Sequence, residues 1–417
     1  MLGRIFRRKN YEAEKGVDQD SEIAKLLDQV VTSQRDLAKA IEQVHLSIEA
    51  ASKLNARVAL GGASTSVFMT DLLRISGSFR GTHDPTRFLR FLNTYLLHID
   101  EISDKLYIRL DAEDRESFLR WFLLRYAKIN ILRDGEREDY GILLASIRSL
   151  PVVDTIKHKG KKYNIKNVNA AGCDFSFIHT SDYVFANDFY LRQYHHKNVN
   201  VRPGDVIIDA GAYTGDTAFI FANDANHDCD IHCFEIAQAN IDAFEANILL
   251  NPKFKDRIHI NKFALSERSN DTLYLDEGAH AGEVFSAFTA GTERTGVSVP
   301  TITIDHYVES RGLKRVDMIK MDIEGAERSA LAGARETIRK FKPRLAIPIY
   351  HLWDDAFVIP EIILDININY EIYFNWYNKR LANEAVVYAI DRDELNARAR
   401  AAEPDAARHP VGARALG

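Results

Sequence analysis

Residues 205–222 read DVIIDAGAYTGDTAFIFA. The run 206–210 is short and apolar, of the kind buried on both faces of a sheet, with Asp209 near its tip. It passes into Gly211-Ala212-Tyr213-Thr214-Gly215, and 216–222 then reads as a helix. Working outward, the same alternation continues. Strand-like IHCFE (231–235) precedes a long helical stretch (238–250), a third strand is expected over 258–265, and TLYLDE (272–277) has the look of a hairpin arm. TITIDHY (301–307), VDMIKMD (316–322), a helix over 326–340, RLAIPIYH (344–351), a helix over 357–366, YEIYF (370–374) and AVVYAI (385–390) follow. Strands alternating with helices predict a mostly parallel sheet covered on both faces. Ligands of such sheets bind outside the carboxyl ends of the strands, at the switch point.

The loop after the first strand carries the sharpest chemistry. Gly211 and Gly215 allow backbone to pass close to a ligand where a β-carbon would clash. Asp209 can accept a hydrogen bond from a ligand amine or hydroxyl, and Glu235, closing the second strand, can accept both hydroxyls of a ribose. A dinucleotide fingerprint needs three glycines packed on a pyrophosphate. Here the spacing is Gly-x-x-x-Gly with an acid leading, which disfavours phosphate and suits the cationic methionine end of S-adenosylmethionine. The candidate cofactor residues are Asp209, Gly211, Ala212, Tyr213, Gly215, Glu235, Ile236 and Ala264.

The stretch 205–222, the CFE at 233–235 and VDMIKMDIEGAERSALAGA (316–334) together resemble the FkbM family of S-adenosylmethionine-dependent methyltransferases, as do RLAIPIYH and the IPE at 359–361. The resemblance covers about residues 180–391. It implies a class I methyltransferase fold, with a Rossmann-like, mostly parallel sheet. It also implies O-methylation, commonly of a sugar hydroxyl in a glycan or glycosylated metabolite. Two departures stand out: Ile236-Ala237 follow the second-strand acid where the family usually has Pro, and Asn375-Trp376-Tyr377 stand where an Arg-His pair is common.

Methyl transfer is an in-line displacement, so the protein chiefly aligns acceptor oxygen, methyl and sulfur, and a neutral alcohol needs a base as the bond forms. Asp322 ends the fourth strand, Glu324 sits in the following turn and His351 closes the next strand; the expected order as general base is Asp322, His351, Glu324. Glu327 reads as a helix cap. Two carboxylates and a histidine can also hold magnesium, although nothing in their spacing demands it. The HDCDIHC run (227–233) suggests zinc only superficially. Strand alternation sends His232 and Cys233 to opposite faces, which makes Cys233 core. His195 and His196 diverge for the same reason.

Five segments are expected in all: a basic tail (1–20), a coiled-coil helix (21–60), a helical accessory region (80–150), the catalytic domain (151–391) and a disordered tail (392–417). Ile23, Leu27, Val30, Gln34, Leu37, Ile41, Val44, Ile48, Ala51, Asn55 and Val58 form a seam of about five heptads. Its broad apolar stripe fits a bundle of more than two helices, or a helix that also packs on its own chain, better than a two-stranded zipper, and a homo-oligomer is expected. Within 85–132, Phe118, Trp121, Phe122, Tyr126, Ile129 and Leu132 recur at helical spacing. The 417 residues carry a net charge of −6, which argues against nucleic acid as a partner. The three cysteines are too few for a disulfide framework and predict a reducing cytoplasm. No apolar run is long enough to span a bilayer. Arg4, Arg7, Arg8 and Lys9 allow at most a peripheral membrane contact, and the expected partner is a glycan or glycosylated acceptor.

Overall fold

The computed structural model describes residues 31–32, 49, 52–53, 63–77, 85–170, 172–275 and 297–402. The predicted basic tail and nearly all of the coiled-coil seam lie outside the described residues. Three strands come first: β1 (Asp154–His158), β2 (Lys161–Ala170) and β3 (Cys173–Ile178), an antiparallel meander. The central sheet then uses β4 (Asp205–Ala210), β5 (Cys229–Phe234) and β6 (Ile258–Asn261). A small sheet is formed by β7 (Ala264–Leu265), β8 (Thr272–Leu275) and β9 (Val297–Ile302), in the order β7-β9-β8. The chain returns to the central sheet with β10 (Met318–Met321), β11 (Arg344–Pro348), β12 (Tyr370–Asn378) and β13 (Asn383–Asp391).

The seven central strands are ordered β12-β13-β11-β10-β4-β5-β6. Six run in one direction, and β13 alone runs antiparallel, between β11 and β12. The chain lays β5 and β6 on one side of β4 and β10 and β11 on the other. The direction of winding therefore reverses between β4 and β10, the switch point of a class I methyltransferase-type sheet. The central strands are apolar along their length because both faces are covered. Ile208, Ile319, Leu345 and Ile347 share a core with Phe91, Tyr95, Phe118, Trp121 and Phe122 of the accessory helices. Ile207, Ile231, Met318 and Ala346 share a second core with Phe175, Phe177, Phe185 and Phe219. The accessory region is thus part of the main body: Phe118 meets Phe374 of β12 edge-on at 5.3 Å, and Trp121 Nε1 donates to the Ala382 carbonyl at 3.0 Å. Each fully buried ring of this size contributes ~2–3 kcal/mol over leaving it in water.

Several expectations are corrected. The third strand, expected over 258–265, is two strands, and the second leaves the central sheet to pair with β9. TITIDHY divides at Thr303, whose Oγ1 accepts from the His306 amide and caps the helix Ile304–Ser310. The helix expected over 326–340 is two, Glu327–Ala332 and Arg335–Phe341. The break falls at Gly333, where a β-carbon would lie 2.2 Å from the Ser266 carbonyl oxygen. The helix expected to reach Leu132 stops at Ala127 in a π-helical turn, with Lys128 left-handed. The tail expected to be disordered from 392 instead begins with a helix, Arg392–Ala402. It is seated by polar contacts, which an apolar-stripe criterion does not register: Glu394 pairs with Arg202 at 2.5 Å, and Arg398 Nη1 donates to the Asn198 carbonyl at 2.9 Å. Among the described residues no helix is long and apolar enough to cross a membrane.

Candidate active site

At the tip of β4 the geometry is set by the protein itself. Gly211 has φ +77, and a β-carbon there would sit 1.8 Å from the Asp322 carbonyl oxygen, so β4 and β10 can close the switch point only over glycine. Gly215 has φ +89, and its β-carbon would enter the Phe244 ring at 2.2 Å. In this structure the close approaches of these two glycines are to Asp322 and Phe244. Asp209 is fully buried. Its Oδ2 accepts from Thr217 Oγ1 at 2.6 Å and its Oδ1 lies 3.1 Å from Lys320 Nζ. Lys320 sits opposite Asp209 in the β4–β10 register and also donates to the Gly211 carbonyl at 2.7 Å. Burial would lower the Lys320 ammonium, but Asp209, Asp322 and Asp216 hold it above the ordinary lysine range. Asp209 therefore fastens the loop through Lys320 and is not a free acceptor facing outward.

The loop itself is tied to the tip of β5. The Gly211 and Ala212 amides donate to the Phe234 carbonyl at 2.9 and 3.0 Å. Tyr213 is left-handed, with φ 46, and its amide turns toward Glu235. Glu235 Oε1 accepts from the Ile236 and Ala237 amides at 2.8 Å each, and Asn240 adds a further hydrogen bond. Burial raises the Glu235 carboxyl above its ordinary value against these donors. The structure thus brings Gly211, Ala212, Tyr213, Gly215, Glu235 and Ile236 together at the adjoining tips of β4 and β5, with Ala264 at the start of β7 beyond the end of β6. An acid fixed by backbone donors beside a glycine loop suits the ribose of a nucleoside, and this donor set fits S-adenosylmethionine.

The tips of β10 and β11 differ in character. Tyr194 Oη donates to Asp322 Oδ2 at 2.7 Å, and Tyr350 Oη lies 3.5 Å from Asp322 Oδ1 and 3.2 Å from Glu384 Oε2. The buried His351 ring stands amid three carboxylates. Its Nε2 is 3.3 Å from Asp322 Oδ1 and 3.5 Å from Glu324 Oε2, and its Nδ1 is 3.0 Å from Glu327 Oε1. Burial would lower the imidazole, but Glu327, Asp322 and Glu324 raise it to about 10, which makes His351 a cation at neutral pH. Against its own burial, Glu327 is held below the usual carboxylate range by His351, and it also accepts from the Ile323 amide at 2.8 Å. Of the three residues expected as base, Asp322 is held at the switch point by the Tyr194 hydroxyl. His351 already carries its proton, and Glu324 is half exposed in a left-handed turn, with φ 55. Asp322, Glu327 and His351 offer ligand atoms within 4.8 Å of one another, but the cationic ring between the carboxylates supplies the positive charge that a metal ion would bring.

Further residues of the site escaped sequence reasoning. Lys320 was legible in principle, as a cation inside a strand with every residue buried. Glu384 enters from the antiparallel strand β13; burial and neighbouring Asp322 push it up to about 8. Asp188 and Asp216 lie against each other, both raised by burial, and Gln193 Nε2 donates to Asp188 Oδ1 at 2.6 Å. The expected non-sites behave as their backbone positions dictate. His232 Nδ1 meets Tyr307 Oη at 2.8 Å in one core, whereas Cys233 is buried in the other. His195 pairs with Asp224 and His196 with Asp114, at 2.6 and 3.3 Å.

Residues 209–392 match the methyltransferase FkbM domain. The 31-O-demethyl-FK506 methyltransferase FkbM of Streptomyces tacrolimicus is 24% identical over 200 residues, covering 41% of this chain and 72% of that protein. Among solved structures, the FkbM methyltransferase of Methylobacillus flagellatus KT aligns with a TM-score of 0.47 and 18% identity over 71% of this chain; the match spans 60% of that protein's length. Aeropyrum pernix fibrillarin, solved with S-adenosyl-L-methionine, aligns at a TM-score of 0.33 with 13% identity, over 58% of this chain and 100% of its own. The acid-tipped strands and glycine loop at the switch point fall inside the residues that match the methyltransferase FkbM domain.

Proposed function

We propose that the chain methylates a sugar hydroxyl of a glycan or polysaccharide, with Asp322 as the general base. The observation that carries this reading is Asp322 at the tip of β10, whose backbone carbonyl abuts Gly211 and whose carboxylate meets Tyr194 and His351. When bound, S-adenosylmethionine supplies a methyl group on a cationic sulfur. Glu235, steadied by the Ile236 and Ala237 amides, would take the ribose hydroxyls, with Tyr213, Ile236 and Ala264 as further contacts. Asp322 would accept the acceptor's hydroxyl proton as the new oxygen–carbon bond forms and the sulfur keeps the electron pair of the bond that breaks. Tyr194 and the His351 cation fix the Asp322 side chain, so that little reorganisation accompanies the step. Glu327, Asp322 and Glu324, acting against burial, keep His351 protonated, so its part is to orient rather than to act as base. The apolar seam at 21–60 supports a further element of the proposal, an oligomer whose several sites raise the effective concentration of a polymeric acceptor.

The test is incubation of the protein with methyl-labelled S-adenosylmethionine and fractionated cell extract. Label should enter the polysaccharide fraction, and Glu235→Ala should abolish cofactor binding measured by calorimetry. A second reading, an O-methyltransferase of a small metabolite such as a macrolide, is favoured by the name of the Streptomyces relative. It predicts label in the small-solute fraction alone, a result that would sink the glycan reading.

A further inference from the structure

The loop leaving β11 runs through His351 into Leu352, Trp353 and Asp354 before the helix Asp355–Ile366. Leu352 is 39% exposed and Trp353 is 49% exposed. The chain has three tryptophans, and the other two, Trp121 and Trp376, are buried in the core. An indole exposed to this degree keeps one face or edge available to a ligand. This one is not loosely placed. Tyr95 Oη donates to the Trp353 carbonyl at 2.9 Å, and the indole leans on the Tyr95, His98 and Phe357 rings, with centroids 6.1, 5.5 and 6.1 Å away. His98 is in turn stacked on Phe357 at 4.9 Å and 14°. Rings therefore brace part of the indole and the rest faces solvent.

The position is functional in kind. Leu352 lies over the turn after β10, with its Cδ2 3.7 Å from where a β-carbon of Gly325 would be. Trp353 follows His351 by two residues in the same loop, and the His351 ring is the one that meets Asp322 and Glu324. An indole face beside carboxylates is the pairing that a sugar ring satisfies: its C–H face rests on the aromatic surface while its hydroxyls donate to the acids. The same acids repel an anionic ring. We propose that Trp353, propped by Tyr95 and His98 of the accessory helices, is the stacking platform for the ring of a neutral sugar acceptor, and that the acidic rim turns away uronic and phosphorylated sugars. The proposal rests on the sugar-hydroxyl reading and gives the accessory region a part in acceptor choice.

Two measurements on the full-length protein test it. In protein labelled with 5-fluorotryptophan, Trp353→Phe identifies the Trp353 fluorine resonance. With S-adenosylhomocysteine present, methyl α-mannopyranoside and methyl α-fucopyranoside should shift that resonance and methyl glucuronide should not. A Trp353 signal unmoved by both neutral glycosides, or moved equally by the glucuronide, overturns the proposal. In the label-transfer assay with the polysaccharide fraction, Trp353→Ala should raise KM about tenfold, the effect of losing one aromatic contact, while kcat and cofactor affinity stay near wild type. Trp353→Phe should recover most of the loss, and its thermal unfolding should match the parent. An unchanged KM in Trp353→Ala overturns the platform and leaves methyl transfer intact. Failure of the wild-type protein to label any glycan overturns the underlying reading instead, whatever the fluorine titration shows.

Discussion

The tip of β4 and the tips of β10 and β11 stand side by side at the switch point, yet they are built on opposite principles. At β4 every group is committed inward: Asp209 to Lys320 and Thr217, Gly211 against Asp322, Gly215 against Phe244. At β10 and β11 the carboxylates of Asp322, Glu324, Glu327 and Glu384 crowd around one cationic ring, and the rim is open. The first arrangement is the fold making a loop of fixed shape. The second holds charge in excess, the condition under which a carboxylate keeps an appetite for a proton or a hydroxyl. Substitutions on the two sides should accordingly fail in different ways, the first by losing structure and the second by losing rate.

The largest effect is expected at Gly211. Gly211→Ala places a β-carbon 1.8 Å from backbone of the neighbouring strand at a left-handed φ, which neither element can relax cheaply. A loss of at least ~4 kcal/mol is expected, beyond the usual range for a single substitution. Thermal unfolding measures it, and a variant as stable as the parent would show that the strands part more easily at the switch point than their register implies. Next comes Lys320→Met, which strands the fully buried Asp209 without its cation and should cost ~3–5 kcal/mol. Adding Asp209→Asn should restore most of that loss in a denaturant titration, because the harm lies in the unpaired charge. If the double variant is no better than Lys320→Met alone, the bond from Lys320 to the Gly211 carbonyl matters more than the ion pair.

The same comparison explains what could be read without coordinates. Acids closing apolar runs are conspicuous in a linear string, so Asp209, Glu235 and Asp322 were legible at their strand tips. The helix Gln238–Leu250 has the bounds its periodicity predicted. What was illegible depends on which strand lies beside which. Lys320 reads as an oddity in a strand until the register sets it opposite Asp209. Tyr194 reaches Asp322 from 128 residues away, and Glu384 arrives on a strand running the other way. The break at Gly333 was hidden too, because the requirement for glycine there comes from the Ser266 carbonyl in another part of the chain.

On the open side, Asp322→Asn should lower the rate of label transfer by ~10²–10⁴-fold, the usual span for removing a general base. Cofactor affinity and melting temperature should stay close to those of the parent, since the Asn retains an oxygen for the Tyr194 hydroxyl. A rate within a few-fold of wild type would move the base elsewhere, with Glu324, the half-exposed carboxylate on the same rim, next to be tested.

The smallest effect on neutral-pH rate is expected for Glu384→Gln, and its value lies in its sign. Burial and Asp322 push Glu384 up to about 8, so near neutrality it holds a proton and Tyr350 faces a neutral group, which an amide preserves. The rate at pH 7 should therefore stay within about twofold of wild type, the loss expected from one imperfectly replaced hydrogen bond. Stability tells more. Because the folded value lies above the unfolded one, the parent's folded state keeps a proton that the unfolded chain sheds above its ordinary glutamate range. That contribution is complete below the unfolded value and is lost as pH rises toward about 8. The amide introduced by Glu384→Gln does not titrate, so the stability of the variant relative to the parent should climb from about pH 4.5 to about 8 and then level off. Denaturant titrations across that range would show the slope. A difference independent of pH would mean that Glu384 ionises freely beside Asp322, and the rim would then be acidic through its whole depth rather than only at its open edge.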